Sequence, residues 1–376
     1  MNSGHPNIRV LIAGPLPPPL HGVAAFTRDL FSRPPPPGFD LLHLDTSDER
    51  DDVKNIGRWD TANLQLGFAN LSELAGRCLK SRPDLVYIPI SQNVPAFLRD
   101  ALFILEARAM GCRVLIHLHG GYFRTLYEQQ SASFRGIARL ALGSVSGAVV
   151  LGDAFKSIFD GLVPEDRIHV VENGVPDPGA WALDAHAVQT RTVLYMGTLT
   201  RTKGIVELLH ALSLLRKSQM PVRLRVAGLW QNEALRDEAL ALIAQEELQS
   251  HVDFVGNVEG SAKAEFLSSG DIFCLPTRYP YEGQPLVILE AMAAGLPVLS
   301  SAHGVIGSTV LNGITGKLLP KDSSAENWAE ALREMFLDEP KLLEYRRMAR
   351  LRYLERYTVE ACHARLFEVF KAAVIA

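Results

Sequence analysis

The segment Tyr281-Glu282-Gly283-Gln284-Pro285-Leu286-Val287-Ile288-Leu289-Glu290 sets two carboxylates on either side of a helix start. Pro285 has no N–H to lose and suits the first helical position. The apolar run continues to Ala294, and Gly295-Leu296-Pro297 ends it. A helix that begins just after a strand turns its free N–H groups and its positive dipole end toward the strand's carboxyl end, where anions bind. Glu290 falls about one and a half turns inside this helix. Helical side chains lean toward the N-terminus, so its carboxylate tilts back to the same crevice. Like charges repel, which rules it out as a phosphate ligand. It is suited instead to accept hydrogen bonds from a ribose diol beside the phosphates. Glu282, on the loop before the helix, is placed to receive the hydroxyls of a sugar. Taken singly, Glu290 also reads as a satisfied helix carboxylate and Glu282 as a solvated loop charge. The whole segment is far more specific than either residue.

Three other stretches carry candidate chemistry. Leu115-Ile116-His117-Leu118-His119-Gly120-Gly121 is a strand end followed by two glycines. Alternation puts His117 and His119 on one face, with His117 deeper and packed. His119 is the candidate for a site, against a merely structural histidine. Gly14–Phe26 (GPLPPPLHGVAAF) follows a strand and precedes a helix over Val23–Leu30. There Gly22 lets a backbone approach a donor phosphate or an acceptor, and a proline-stiffened connection is the plain alternative. In Tyr122–Arg139, Arg124, Arg135 and Arg139 are spread among Phe123, Leu126, Tyr127, Phe134 and Ile137. Such a stretch suits the phosphate of a lipid-linked acceptor or an anionic membrane face, and equally a solvated helix flank.

These residues need elements to hold them. Runs rich in Val, Ile and Leu recur at Arg9–Ala13, Leu41–Asp45, Leu85–Ile90, Val114–Leu118, Ala148–Leu151 and Ile168–Val171. A second series follows at Val193–Met196, Leu224–Ala227, Val252–Val255, Ile272–Leu275, Val298–Ser300 and Lys317–Leu319. Continuous apolar runs mark strands covered on both faces, and their alternation with helical patterns predicts doubly wound parallel sheets. The runs divide six and six at Asn173–Ala187, where Gly174, Pro176, Pro178 and Gly179 cluster. The expected domains are residues 1–180 and 181–357, with a last helix over about 358–376 packing back on the first. Ser323 and Glu326 fit a capping box before one of the closing helices.

The chain of 376 residues suits two such domains, and 47% hydrophobic with 21% charged content is that of a globular protein. A net charge of −4 gives no global basic field, so nucleic acid is not an expected partner. Cys78, Cys112, Cys274 and Cys362 are too scattered for a metal or redox motif and read as buried thiols in a reducing compartment. There is no signal-peptide pattern and no run of about 18 apolar residues. The expected location is the cytoplasm, with the inner face of a membrane as the limit. No Asp-x-Asp motif falls near the expected site, so no essential metal and no cofactor are expected. The acidic run Asp48–Asp52 reads as a solvated loop.

With these residues in view, the segment from Glu282 to Glu290 resembles the E-x7-E motif of the retaining family 4 glycosyltransferases. That family has the GT-B fold of two facing Rossmann-like domains with a cleft between them. The resemblance extends over the C-terminal half: Tyr195-Met196-Gly197-Thr198-Leu199 through Lys203-Gly204, Val226-Ala227-Gly228, Val255-Gly256 and Asp271–Pro276 match family elements. It implies that Glu290 binds the donor ribose, Glu282 contacts the donor hexose, and Gly283, Gln284, Pro285 and Leu286 line the diphosphate. His119-Gly120 matches a histidine placed beside the transferring sugar. Lys203 is implied to reach the diphosphate. The chain departs from the pattern twice. Gln284-Pro285 stands where the family has Phe-Gly, which removes one amide from the phosphate cradle. Thr198 stands where the family usually has arginine, and Arg201 is the nearby cation to replace it. Arg201 and Lys203 also read as solvated loop charges.

The implied function is retaining transfer of a hexose from a UDP- or GDP-sugar, the donor domain being the second and the acceptor domain the first. The acceptor would be a saccharide or lipid-linked, in polysaccharide or glycolipid biosynthesis. Domain closure is expected to assemble the site and exclude water. A sugar-nucleotide epimerase, a phosphorylase, and a non-catalytic nucleotide-sugar-binding partner subunit stay open as alternatives.

Overall fold

The computed structural model describes residues 7–18, 22–47, 61–179, 191–220 and 222–375. The run Asp48–Asp52, His21 of the first loop and residues 180–187 of the expected linker lie outside these. Two compact units are present: Met1–Asn173 with Val359–Ala376, and Gly174–Thr358.

The first unit is built on β1 (Ile8–Gly14), β2 (Phe39–Asp45), β3 (Leu85–Ile90), β4 (Arg113–Leu118), β5 (Gly147–Val150) and β6 (Ile168–Val170). All pair in parallel, in the order β2-β1-β3-β4-β5-β6. β3 is buried at every position, as its unbroken apolar run requires of a strand covered on both faces. Helices α1 (Gly22–Phe31), α2 (Thr61–Ser81), α3 (Val94–Ala109), α4 (Phe123–Gln129) and α5 (Ala132–Gly143) belong to this unit. Asn93 starts α3 by accepting the Ala96 N–H at 3.0 Å.

The second unit repeats the plan with β7 (Thr192–Met196), β8 (Arg223–Ala227), β9 (Val252–Gly256), β10 (Ile272–Leu275), β11 (Val298–Ser301) and β12 (Gly316–Leu319). These are again parallel, in the order β12-β11-β10-β7-β8-β9. Its helices are α6 (Ile205–Lys217), α7 (Glu233–Gln245), α8 (Gly260–Ser268), α9 (Leu286–Ala293), α10 (Ile306–Thr309), α11 (Ala325–Leu337) and α12 (Glu339–Arg356). In this order β7 lies between β10 and β8, so the direction of winding reverses at the β7–β10 pair. The loops leaving the carboxyl ends of those two strands flank the topological switch point, where open α/β sheets take ligands.

The last helix, α13 (Val359–Ile375), belongs to the first unit. Cys362, Leu366, Phe367, Phe370 and Ala373 share a core with Val10, Ile12, Leu85, Tyr87 and Leu115. The four cysteines are buried free thiols.

Two helix starts differ from the sequence expectation. Ser324, not Ser323, caps α11, and its box partner is Asn327 rather than Glu326. Pro285 is the residue before α9, not its first helical residue, with ψ at 116°. Its missing N–H therefore falls just outside the helix, and the amides of α9 itself begin at Leu286.

Candidate active site

The loop from Pro276 to Pro285 follows β10 and carries Glu282. Thr277 is its anchor: fully buried, it donates through Oγ1 to Glu282 Oε2 at 2.8 Å. Thr277 Oγ1 in turn accepts the Tyr279 N–H at 3.2 Å. From β11, Ser301 Oγ donates to the Thr277 carbonyl and Ser300 Oγ to the Leu275 carbonyl. His303 Nε2 donates to the Tyr279 carbonyl at 2.9 Å. The carboxylate of Glu282 is thus held on a hydrogen-bonded frame and is only 7% exposed.

Lys203 comes from the loop after β7. Thr200 Oγ1 accepts the Lys203 N–H at 3.1 Å, which starts a single 3-10 turn over Arg201–Lys203. Gly204 follows at φ +81°, and a Cβ there would sit 2.3 Å from the Pro276 carbonyl oxygen. Only glycine combines that left-handed backbone with so close an approach. The Arg278 N–H bonds the Thr202 carbonyl at 2.6 Å and knits the two loops again. Their approach brings Lys203 Nζ to 3.7 Å from Glu282 Oε1, with the ammonium 5.5 Å from the centre of the Tyr279 ring. Burial first, and then the Glu282 charge, push the hydroxyls of Tyr195 and Tyr279 above their ordinary values. Both stay protonated at neutral pH.

Behind them α9 points its amino end at the same carboxyl edge. Glu290 lies within it, and its Oε1 accepts from Lys263 Nζ of α8 at 2.8 Å. Gly283 and Pro285 are buried beside Glu282. The Gln284 side chain is turned inward: it is 4% exposed and donates to Thr309 Oγ1 at 3.0 Å. Arg201 is exposed and ion-paired with Glu238 of α7. Arg278, which the sequence did not single out, pairs with Glu207 in the first turn of α6. Lys263, Thr277 and His303 were also missed. Nothing in their spacing marks them: Lys263 and His303 act on residues 27 and 24 positions away, and Thr277 is an ordinary loop threonine five positions before Glu282.

In the first unit His119 follows β4 directly. Its ring stacks on His117 at 3.8 Å and 30°, and Phe26 of α1 meets both rings edge-on, at 4.8 Å and 5.3 Å. His117 is fully buried, and burial, followed by its neighbour His119, pushes its pKa well down. Gly22 opens α1, and a Cβ added there would meet nothing within 4 Å. Arg124 pairs with Glu128 and donates to the Asp160 carbonyl, while Arg135 donates to the Gln130 carbonyl. Both are tied within the unit. Ile137 and Leu140 of α5 are exposed beside them. No helix among the described residues is long and apolar enough to cross a membrane. Among the described residues no group of three or more His, Cys, Asp or Glu is arranged to hold a metal ion.

Residues 184–352 match the family model described as glycosyl transferases group 1. The match takes in just under half of the chain and lies wholly within the second unit. The matched span holds every element from β7 to α11 and most of α12, and with them Lys203, Glu282 and Glu290. Phosphatidyl-myo-inositol mannosyltransferase of Mycolicibacterium smegmatis is 28% identical over 243 residues, covering 63% of this chain and 60% of that one. GDP-mannose:cellobiosyl-diphosphopolyprenol alpha-mannosyltransferase of Xanthomonas oryzae is 26% identical over 250 residues, covering 66% and 64%. The chain thus spans about three-fifths of the length of these curated relatives. Among solved structures, Anabaena HepE in complex with UDP superposes with a TM-score of 0.76 at 17% identity. The likeness covers 97% of this chain and 100% of that one. It establishes the two-sheet GT-B fold class.

Proposed function

We propose that this protein is a retaining glycosyltransferase that moves a hexosyl group from a UDP- or GDP-sugar to a saccharide or lipid-linked acceptor. The observation that carries the reading is the convergence, at the switch point of the second sheet, of Lys203, Glu282 and the head of α9. The three offer a cation, a sugar-facing carboxylate and a set of free amides. Glu290 lies within the same helix for the ribose. Lys203 and the amides of α9 stabilise the charge that develops on the leaving diphosphate. Glu282 accepts hydroxyls of the hexose, and Glu290 those of the ribose. The bond from the anomeric carbon to the diphosphate oxygen breaks as the acceptor oxygen bonds on the same face. The acceptor proton passes to the departing phosphate. His119 of the first unit is assigned a catalytic part and Gly22 a part in donor binding. The match of residues 184–352 to the family model and the named activities of the relatives support this reading. A polyprenol- or lipid-linked acceptor favours work in polysaccharide or glycolipid biosynthesis, in the cytoplasm or at the inner face of a membrane. No metal ion and no cofactor are given a role.

The test is transfer from a labelled UDP- or GDP-hexose to a lipid-linked saccharide, with chelator present, and NMR of the new linkage. The expected product keeps the anomeric configuration of the donor. Glu282→Gln and His119→Ala are expected to lower kcat by about 100-fold, the scale of losing one stabilising contact. Glu290→Ala is expected to raise the donor KM. Undiminished transfer by all three variants would overturn the assignment.

A further inference from the structure

Tyr87 and His117 sit on the adjacent strands β3 and β4, in the core that α13 closes. Both are fully buried, and the phenol oxygen lies 2.5 Å from His117 Nδ1. Phe370 of α13 meets the Tyr87 ring edge-on at 5.5 Å. Burial holds the phenol protonated and the imidazole neutral. A buried phenol needs an acceptor for its proton, and Nδ1 of a neutral imidazole is one. It follows that Tyr87 donates, and that His117 carries its own proton on Nε2. That Nε2 has no hydrogen-bond partner among the described residues, so the Tyr87 bond is the polar contact that sets this ring. The His119 ring stacks on His117 at 3.8 Å.

We infer that Tyr87 is a positioning residue, whose hydroxyl fixes the tautomer and rotation of His117 so that His117 serves as the platform on which the His119 ring is held. The inference rests on the reading that His119 is a catalytic residue. A flip of the His117 ring would put Cδ2 where Nδ1 now meets the Tyr87 hydroxyl, and Cε1 where Nε2 lies, and so change the surface under His119. Stacking partners prefer defined offsets, so His119 would follow. A group at a reacting centre displaced by about 1 Å can lose about 100-fold in rate.

Tyr87→Phe removes one oxygen and keeps the ring that packs against Phe370. Imidazole nitrogen NMR of the histidine-labelled wild type is expected to show His117 protonated on Nε2. In Tyr87→Phe, the His117 nitrogens are expected to shift toward mixed tautomers and the His119 resonances to move with them. The kcat for transfer is expected to fall about tenfold or more, with the donor KM within about twofold. A second variant, His117→Asn, keeps a group for Tyr87 near the Nδ1 position but removes the platform, and should lower kcat alike. Wild-type His117 protonated on Nδ1, or His119 resonances unmoved in Tyr87→Phe, would overturn the inference. His119→Ala separates the two readings. If it transfers at full rate, the role of His119 falls, and the NMR result still decides whether Tyr87 sets the ring. If it is inactive while Tyr87→Phe and His117→Asn keep full kcat, only the positioning role falls.

Discussion

Lys203 and Glu282 lie on loops far apart in sequence, yet their charged groups are 3.7 Å apart. Each is the other's ion partner. The contact depends on Gly204, whose left-handed backbone passes against the Pro276 carbonyl. Gly204→Ala adds the cost of that conformation, about 1 kcal/mol, to a clash that must push the two loops apart. It is expected to lower the melting temperature by several degrees and to raise the donor KM. Gly22→Ala, with open space around its Cβ, is expected to leave the melting temperature unchanged. Thermal unfolding of the two variants side by side checks both. Residue identity was readable at Glu282, Glu290 and Lys203 because a motif carries them. The direction of a side chain was not. Gln284 turns inward to Thr309, and Arg201 is taken up by Glu238, since partners from α10 and α7 decide those rotamers.

At the scale of elements, the strands were legible because burial on both faces leaves an unbroken apolar run, as at Leu85–Ile90. The helix starts were legible to within a residue. Ser323 and Ser324 are both able to cap, and only the bond from the Ser324 N–H to Asn327 at 3.1 Å chooses between them. The elements of the first sheet also carry three histidines whose pKa burial lowers from the ordinary value of about 6.5: His117 on β4, His169 on β6 and His363 on α13. Between each lowered value and 6.5, the unfolded chain binds a proton that the folded protein refuses. Their contribution to stability is therefore complete above about pH 6.5 and is lost as pH falls through that window. Each refused proton costs up to about 1.4 kcal/mol per pH unit. The first unit is expected to lose stability between pH 6.5 and 5. Limited proteolysis at pH 5.5 should then cut within Met1–Asn173 before it cuts the second unit, and the opposite order would count against this assignment.

For the whole molecule, two parallel six-stranded sheets and a closing helix returned to the first unit place the chain in the GT-B class. The net charge of −4 gives no long-range attraction for an anionic donor. The proposed function therefore assigns donor binding to the local cations and helix amides at the second sheet. Calorimetric titration of UDP and of GDP into the wild type, Lys203→Ala and Glu290→Ala decides whether this edge is the donor site. One of the two nucleotides is expected to bind the wild type at a single site. Each variant should lose about tenfold or more in affinity while keeping its ligand-free melting temperature, a loss of about 1.4 kcal/mol or more. No binding of either nucleotide to the wild type, or wild-type affinity in both variants, would contradict it.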